Sequence, residues 1–581
     1  MKIKSLIGLS VVMAALSACE SGDVLIDATN RSVSDNRTDN SITGDNSGNA
    51  GGSGSESGKT ENPCANYSVS GVLRQGSYSA PNCIYGSDFV DLTNPITVTD
   101  IQVTFTNLPN SGVHVFGGSL VVGRNYSSDD GLANAGIWKG GDGAAVRIEA
   151  GATLAFRSND DYMVVNRGSQ LFAEGSASAP ITLTSVSDAV DGIVGPEDVS
   201  QWGGMIINGF GVTNKCAYTG TRGEDGFTTS NCHVAAEGKG GSAQTHYGGA
   251  NDEDSSGVLE YVVVKHTGAQ VAPGNELNGI SFDAVGSGTT VNYLQAYSTY
   301  DDGIEMFGGA VDINYYVALY VRDDSIDIDE GYRGSITNAL VIQSENNGQQ
   351  CLESDGIGSY KATETTKNND FIARGLNSAA ELRNVTCIVS PNASGTHGVG
   401  AGLRIREGHF AKIFDSIVTT AYAADEVDQL DSDGNVVLDS NGNPVDDPDE
   451  NQCLRVDDVE TLQAAQDSQL VISNSIFACH DLTKGDALPN ATTLEAFLEA
   501  SNNVMSTAVD GESPNAGSAP NLVILNGFYS VALTDMVVNG GPVSGTPLNS
   551  YIGAVTLDDD WTAGWTYGLH PENRAQALWF E

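Results

Sequence analysis

Carboxylate side chains recur at a nearly regular spacing in the middle of the chain. The sequence DDGIE at 301–305 returns 22 residues later as DDSID at 323–327, and QCLE at 350–353 follows after a similar interval. Carboxylate oxygens are the preferred ligands of Ca²⁺, and closely stacked carboxylates repel one another unless a cation or an arginine lies between them. The repeat therefore predicts an acidic cluster with chemistry of its own, provided that the fold brings the copies together.

The spacing of the copies predicts the element that stacks them. A unit of about 22 residues is too short for a pair of helices and matches one coil of a parallel β-helix. Further copies of the frame lie at 278–282, 402–408 and 452–457. Equivalent residues in successive coils lie about 4.8 Å apart. We therefore expect an inward-facing aliphatic stack that consists of Ile304, Ile326, Leu352, Leu403 and Leu454.

The residues next to this stack alternate to the outer face of the coils. They are the acidic Glu305, Asp327 and Glu353, followed by the basic Arg404 and Arg455. Together with the aspartates that precede the aliphatic positions, the acidic residues form a candidate Ca²⁺ site. The predicted metal ligands are Asp302, Glu305, Asp324, Asp327 and Glu353.

Two other interpretations of this face stay open. The first is a solvated acidic surface that the arginines neutralise without a metal. The second is the site of a polysaccharide lyase, in which Asp302 and Asp327 bind Ca²⁺ and Arg404 removes a proton from a uronate. A hydrolase is disfavoured because Arg404 follows Gly398 too closely for the two to belong to successive coils.

The N-terminus predicts export and lipidation. Lys2 and Lys4 precede an apolar run at 6–16, so residues 1–18 are typical of a bacterial signal peptide. The run ends in Leu-Ser-Ala-Cys, which resembles the lipobox of bacterial lipoproteins. In such sequences the cysteine, here Cys19, is lipidated, with palmitate among its acyl groups, and becomes the mature N-terminus.

The residues after Cys19 predict where the lipid anchor lies. Glu20 is not the aspartate that retains lipoproteins at the inner membrane of enteric bacteria, so we expect an outer-membrane anchor with the protein at the cell surface. Residues 19–63 are rich in Ser, Gly, Asn, Asp and Thr, which is typical of a flexible tether. No other apolar run approaches the length of about 18 residues that a membrane-spanning helix needs.

The composition excludes one class of partner. The chain has 581 residues with 27 Lys and Arg against 74 Asp and Glu, a net charge of −47 at pH 7. This charge opposes binding to nucleic acid and favours binding of divalent cations. The 69 glycines and the many short strand-like runs predict an all-β chain.

Eight cysteines remain after Cys19, and an even number in an exported protein predicts disulfides. None has the C-x-x-C spacing of a zinc site. The cysteines closest in sequence form the pairs Cys64/Cys83, Cys216/Cys232, Cys351/Cys387 and Cys453/Cys479. Closeness in sequence does not establish the connectivity, because eight cysteines allow 105 pairings.

Turn and strand patterns divide the chain into an N-terminal β cap at 64–135, a β-helix at 136–480 and a C-terminal segment and cap at 481–581. We expect Cys64 and Cys83 to pin the N-terminal cap, which shields the first coil from edge pairing. A helix is expected at 492–500, with Thr492 and Glu495 at capping-box spacing. The C-terminal tryptophans predict a packed cap, with sugar stacking as the alternative.

An insertion at 422–451 contains ten acidic residues and no Lys or Arg. Its two eight-residue copies predict a solvated β-ribbon. An EF-hand is disfavoured because glycine precedes the third ligand position.

Several segments resemble known families. The run at 164–185 resembles the repeat of secreted pectin-lyase-like β-helix proteins, with Ser176 in place of the usual Thr. The segments at 202–204, 247–262, 301–309, 551–555 and 561–569 resemble a family of uncharacterised bacterial surface lipoproteins. The resemblance covers roughly residues 136–415 and 550–570. It implies a right-handed parallel β-helix with loop insertions and a surface location, and it implies no activity.

These observations favour an outer-membrane lipoprotein with a binding or adhesion role and no catalytic activity. Its expected partners are a glycan or a surface protein, and its Ca²⁺ is expected to be structural. The alternatives are the calcium-dependent polysaccharide lyase, or another glycan-active enzyme, and an accessory lipoprotein that captures a nutrient or a cation.

Overall fold

The structure of the protein is a computed structural model. It describes residues 62–100, 103–138, 140–238, 244–272, 275–390, 401–419, 435–445, 452–479, 481–507, 527–532, 537–538, 541–542 and 551–581. The predicted signal peptide, Cys19, the tether and most of the acidic insertion at 422–451 lie outside the described residues. Every helix within the described ranges is too short or too polar to cross a membrane.

Short strands form most of the regular structure. The strands of the N-terminal part are β1 (Asn66–Val69), β2 (Val72–Gln75), β3 (Ser77–Ser79), β4 (Asn82–Tyr85), β5 (Val103–Phe105), β6 (His114–Phe116), β7 (Leu120–Val122), β8 (Ala145–Glu149), β9 (Thr153–Phe156), β10 (Met163–Val165), β11 (Gln170–Glu174), β12 (Ile181–Ser185) and β13 (Met205–Asn208). The strands of the middle part are β14 (Tyr218–Thr219), β15 (Thr228–Thr229), β16 (Val234–Ala235), β17 (His246–Tyr247), β18 (Gly257–Lys265), β19 (Ala269–Ala272), β20 (Asn275–Leu277), β21 (Ile280–Asp283), β22 (Thr290–Tyr297), β23 (Ile304–Phe307), β24 (Asp312–Leu319), β25 (Ile326–Asp329), β26 (Ser335–Ile342), β27 (Gln350–Asp355) and β28 (Glu381–Ile388). The strands of the C-terminal part are β29 (Ala401–Arg406), β30 (Lys412–Phe414), β31 (Ile417–Thr419), β32 (Gln452–Val456), β33 (Val471–Ser473), β34 (Ile476–Cys479), β35 (Asp481–Gly485), β36 (Val504–Thr507), β37 (Val531–Ala532), β38 (Val537–Val538), β39 (Gly541–Pro542) and β40 (Tyr551–Ile552).

The helices are short and lie in the connections between strands of the two sheets. They are α1 (Asp129–Ala135), α2 (Val186–Ala189), α3 (Thr365–Ala373), α4 (Val459–Gln466) and α5 (Leu494–Glu499), with one 3₁₀ turn at Pro109–Ser111. The expected helix at 492–500 is thus present as α5. Its cap is Thr493, whose side chain accepts a hydrogen bond from the backbone N–H of Ala496, so the predicted capping box at Thr492 is wrong by one residue.

Two large sheets of mainly parallel strands form the solenoid. Ten strands stack in the first sheet, hereafter sheet 1, in the order β7-β10-β13-β21-β23-β25-β27-β29-β32-β35. Ile304 lies opposite Ile326, and Leu403 lies opposite both Leu352 and Leu454. All five residues of the predicted aliphatic stack are at most 2% exposed. The all-β parallel β-helix and the register of its central coils are therefore confirmed.

The second sheet bends once in each coil. Five of its strands run over two faces of the solenoid and carry a residue of left-handed conformation at the bend. These residues, with φ between +51° and +61°, are Tyr261, Tyr293, Tyr315, Asn338 and Asn384. Asparagine tolerates this conformation, whereas a bulky residue is strained in it. The three tyrosine rings stack on one another with centroids 4.2 and 4.4 Å apart, and this contact offsets the strain.

Parallel pairing extends beyond the predicted bounds of the β-helix at both ends. Asn82–Tyr85 already pairs in parallel with His114–Phe116, and Val504–Thr507 pairs in parallel with β34. The antiparallel hairpin of β1 and β2 and the antiparallel strand β3 precede the first coil. The sequence pattern does not predict the early coils, because strands of only three or four residues are too short to show a clear alternation.

The structure contains four disulfides, and they join the cysteines that are closest in sequence. The bonds are Cys64–Cys83, Cys216–Cys232, Cys351–Cys387 and Cys453–Cys479. The third joins β27 of sheet 1 to β28 of the second sheet through the interior of a coil, and both of its cysteines are at most 1% exposed. The fourth makes the same kind of crossing further along the solenoid. The pairing follows from the fold, because only the stacked sheets determine which thiols meet.

The position of Cys83 corrects the expectation that Cys64 and Cys83 pin a separate cap. Cys83 lies on β4, opposite His114 in the parallel register with β6, and it is 0% exposed. It therefore belongs to the first coil of the solenoid. Cys64 precedes the hairpin of β1 and β2, and its Cα lies 5.4 Å from that of Cys83. The disulfide thus fastens the hairpin to the first coil, and the cap before the coils is shorter than the predicted 64–135.

The C-terminal segment lies along the flank of the solenoid. The indole of Trp565 packs edge-on against Tyr261 and Tyr293, and the indole N–H of Trp579 donates to the carbonyl of Gln343 at 3.0 Å. The sequence predicts a packed cap, and the packing is present. The segment covers the stacked tyrosine rings at the bends of several coils, because Trp565 packs against two of those rings.

Two histidines are buried in the core of the solenoid and hydrogen-bonded there. His114 donates from Nε2 to the carbonyl of Thr106 at 2.7 Å, so its Nδ1 accepts from the Tyr85 hydroxyl at 2.8 Å. His409 accepts at Nε2 from the backbone N–H of Ala380. Burial lowers the pKa of His114 to about 4 and that of His409 to about 3. Both imidazoles are therefore neutral in the folded protein at mild acidity.

We expect these histidines to destabilise the protein as the pH falls below 6.5. The unfolded chain takes up a proton at each imidazole near its ordinary pKa, and the folded chain does not, so stability is complete above pH 6.5 and is lost as the pH falls toward the lowered values. Each pH unit in this window costs about 1.4 kcal/mol per histidine. Urea unfolding of wild type and His409→Gln at several pH values measures this, and parallel curves for the two proteins would contradict it.

Candidate functional site

The outward side chains of sheet 1 form the predicted ladder. Glu305 lies opposite Asp327, Asp327 opposite Glu353, and Glu353 opposite Arg404. We call the seven carboxylates of this face and of the turns before it the acidic ladder. They are Asp301, Asp302, Glu305, Asp323, Asp324, Asp327 and Glu353.

The carboxylates of the acidic ladder converge in three groups of three. Within each group one oxygen of every residue lies within 4.8 Å of the others. The groups are Asp301/Asp302/Asp323, Asp302/Glu305/Asp327 and Asp324/Asp327/Glu353. Asp302 and Asp327 each belong to two groups, so the three groups form a continuous row. All five predicted metal ligands are in this row.

Asp301 and Asp323 are additional members of the row that were not among the predicted ligands. Both are the first residue of an Asp-Asp pair in the repeated segments. Strand alternation does not extend to them because they lie in the turns before β23 and β25. The sequence feature that could have indicated them is the Asp-Asp pair, which occurs in both copies of the repeat.

Four of the seven carboxylates of the acidic ladder are buried and the other three are partly buried, which argues against the interpretation as a solvated acidic surface. Asp302, Glu305 and Asp324 are only 7%, 8% and 4% exposed. The side-chain amide of Asn278 covers Glu305 and donates to it at 2.5 Å. Further along the face, Tyr247 from the long loop between β13 and β18 donates to Glu330 at 2.7 Å. Cover from neighbouring loops thus removes these carboxylates from bulk water.

Two of the aspartates also tie successive coils together. Asp302 Oδ1 accepts from the backbone N–H of Asp324 at 3.0 Å, and Asp324 Oδ1 accepts from the backbone N–H of Gln350 at 2.7 Å. These bonds fix the orientation of each carboxylate. Each aspartate keeps its other oxygen available for the acidic ladder.

Burial and mutual repulsion determine the charge state of the ladder. Burial is the largest cause that raises the pKa of Asp302, Glu305, Asp324 and Asp327 well above the usual values, and the neighbouring carboxylates raise it further. Both causes favour the protonated form of these groups over the charged form, and a bound cation would favour the charged form. Asp327 Oδ1 is buried and has no hydrogen-bond partner among the described residues. An acceptor of this kind in a row of oxygens fits a hard cation such as Ca²⁺.

The arginines at the end of the row are committed to ion pairs. Arg404 contacts Glu353 at 2.8 Å and Asp457 at 3.1 Å. Arg406 contacts Asp355 at 2.5 Å and Glu353 at 2.8 Å. Burial opposes the charge of Arg406, but its bonds and its attraction to Asp355 and Glu353 outweigh burial and raise its pKa. A guanidinium held in this way is a poor base.

Arg455 is not a partner of the acidic ladder. It contacts Asp457, two residues along the chain, at 2.9 Å. The expected neutralisation of the acidic face by Arg404 and Arg455 is therefore correct only for Arg404, and Arg406 supplies the second positive charge.

The described part of the acidic insertion, 435–445, forms a tight turn with Leu438 bridged to Pro444.

A separate cavity of about 240 Å³ lies beside α1 and was not expected from the sequence. Arg167, which is 3% exposed, donates to Nδ1 of His233 at 2.8 Å, and His233 Nε2 in turn donates to Asp129 at 2.9 Å. The exposed indole of Trp138 and the ring of Phe210 line the same cavity. Its polar residues come from distant parts of the chain, so no spacing in the sequence indicates it.

Comparison with known proteins identifies the fold family. The family model described as a pectate-lyase-like beta helix domain matches residues 135–508, which is more than half of the chain. No curated protein and no solved structure matches the chain. The predicted likeness to pectin-lyase-like β-helix proteins is thus confirmed for the solenoid. The chain belongs to the family of pectate-lyase-like β-helix domains.

Proposed function

We propose that the protein is an outer-membrane lipoprotein with a binding or adhesion role at the cell surface, and that its acidic ladder holds structural Ca²⁺. The proposed anchor is the lipidated Cys19, and residues 19–63 connect it to the solenoid. The net charge of −47 agrees with a soluble, cation-binding surface domain. The proposed partners are a glycan or a surface protein.

The observation that carries the proposal is the contrast between the carboxylates and the arginines. Seven carboxylates converge in three linked groups that suit a cation. The arginines beside them are already paired with Glu353, Asp355 and Asp457. A lyase needs a free base next to the substrate, and Arg404 and Arg406 do not meet this requirement. The arrangement favours a metal that holds the coils over a metal that activates a substrate.

Lipidation and catalysis are tested in the same set of proteins. In cells fed labelled palmitate, we expect label on the wild-type protein and its recovery with outer membranes; Cys19→Ser is expected to lose both. The purified protein is then incubated with uronate polymers and Ca²⁺. We expect binding without the ultraviolet absorbance of unsaturated products. The appearance of such products would replace the binding proposal with the lyase at Asp302, Asp327 and Arg404.

Two further results would reject parts of the proposal. Recovery of the Cys19→Ser protein with membranes would exclude lipid anchoring through that residue. If neither the uronate polymers nor intact cells retain the wild-type protein, and labelled Ca²⁺ is retained, the accessory role in cation capture becomes the better account.

A further inference from the structure

Two polar side chains on sheet 1 lie close to the acidic ladder and are not part of it. Asn208 on β13 and Asp283 on β21 are direct neighbours in the parallel register. Their side chains point to the same face, so equivalent atoms are about 4.8 Å apart. Both residues are 0% exposed.

Three oxygens at this position have no hydrogen-bond partner within the described part of the chain. They are both carboxylate oxygens of Asp283 and the amide oxygen of Asn208. The amide nitrogen of Asn208 donates to the Thr245 hydroxyl at 3.4 Å, which leaves the amide oxygen as the unused end of the side chain. Enclosing three acceptors without a donor costs free energy.

Three donors of this region are already occupied by Glu330. The hydroxyls of Tyr247 and Thr213 both donate to Glu330, at 2.7 and 2.5 Å, and the Lys215 ammonium lies 3.4 Å from the same carboxylate. Burial, and after it the charges of Glu330 and Glu237, raise the pKa of Asp283. Glu330 therefore has three partners, and Asp283 has none among the described residues.

We propose that Asn208 and Asp283 bind a second cation, separate from the ladder, and that this cation fastens residues 244–256, which precede β18, to sheet 1. The bound ion has to be a hard cation that prefers oxygen ligands, because all three unpartnered atoms are oxygens. The loop contributes Thr245 and Tyr247 to the same enclosure. This site does not depend on the Ca²⁺ proposed for the ladder.

The competing explanation is a proton on Asp283 that is donated to the amide oxygen of Asn208. The two explanations predict different results for substitutions that keep the shape of the side chain. Asp283→Asn removes a cation ligand, whereas a protonated carboxyl and an amide are close substitutes. Asn208→Asp adds a second carboxylate, which strengthens a cation site and destabilises a pair that shares only a proton.

The test uses the full chain, loaded with Ca²⁺ and passed through gel filtration, with bound calcium measured by atomic emission. We expect Asp283→Asn to carry one Ca²⁺ fewer than wild type, and the ladder variant Asp327→Asn to keep that ion. We expect Asn208→Asp to retain its ion at a chelator concentration about tenfold higher than the one that strips wild type, which corresponds to about 1.4 kcal/mol.

The outcomes separate this site from the ladder. Loss of calcium only in Asp283→Asn supports this site and rejects the ladder, and loss only in Asp327→Asn does the reverse. Wild-type protein without calcium rejects both. If Asp283→Asn fails to fold, Asn208→Asp decides: unchanged retention together with a lower melting temperature at pH 8 would leave a shared proton and overturn the cation.

Discussion

Melting the protein in millimolar Ca²⁺ and in excess chelator is expected to give midpoints about 10 °C apart, with the calcium sample higher. Three linked carboxylate groups supply the sites. A cation at 1,000 times its dissociation constant stabilises the fold by about 4 kcal/mol per site, so three sites contribute about 12 kcal/mol. The unfolding entropy of roughly 500 ordered residues is about 1 kcal/mol per kelvin, which converts that energy to the shift.

The pH dependence of the same measurement has a definite sign. The pKa values of Asp302, Glu305, Asp324 and Asp327 are raised in the fold, above all by burial. In chelator, the folded protein holds protons on these carboxyl groups more tightly than the unfolded chain does. Their contribution to the free energy of unfolding is therefore complete below about pH 4, and it is lost as the pH rises through the raised pKa values of the folded protein. Ca²⁺ replaces the protons, so we expect the gap between the two samples to widen from pH 5 to pH 8.

The matched control for this experiment is Mg²⁺, which requires a smaller octahedral site and is expected to give a smaller shift. Identical midpoints in calcium and in chelator at pH 8 would refute the structural ion. The enclosed carboxylates would then be neutralised by protons and by Arg404 and Arg406, and the search for a ligand would turn to protein or glycan partners that need no metal.

Asp327→Asn is expected to remove most of the calcium effect. Asp327 belongs to two of the three carboxylate groups, and one of its oxygens has no hydrogen-bond partner within the described ranges. Its loss leaves only the group of Asp301, Asp302 and Asp323 intact, so the part of the calcium-induced shift that comes from the acidic ladder should fall to about one third of its wild-type value. In chelator the variant should melt higher than wild type, because one repelling carboxylate is gone.

Glu149→Gln serves as the control for this substitution. Glu149 is an exposed carboxylate at the end of β8, on the second sheet. The control removes the same charge and should leave the calcium shift unchanged. An equal loss of stability for Asp327→Asn in calcium and in chelator would mean that Asp327 serves only in packing. Calorimetry at both conditions measures this difference directly.

The repeated segments show how much of the site a sequence reveals. The interval between DDGIE and DDSID equals one coil, and strand alternation is a local property, so the spacing alone assigns Ile304, Glu305, Ile326 and Asp327 to the correct faces. The same reasoning fails at 64–135, because strands of three residues are too short for a readable alternation. It also fails for the aspartates in the turns before β23 and β25.

Exposure of the ladder is a second point that the sequence does not reveal. Glu305 is in the outward position that alternation predicts, yet it is 8% exposed. Its cover is Asn278, which stands 27 residues earlier in the chain. The raised pKa values, and with them the need for a cation or a proton, follow from that cover and not from the acidic repeat alone.

The amino-acid sequence by itself determined the coil period, the inward aliphatic stack and the family of the fold, because each of these depends on residues within one or two turns of the chain. Only the tertiary structure decided the disulfide partners, the place of Cys83 in the first coil, the ion pairs of Arg404 and Arg406 and the register that places Asn208 beside Asp283. These features join residues from different coils and loops. Their distances depend on how the loops close over the solenoid, and no local spacing encodes that closure.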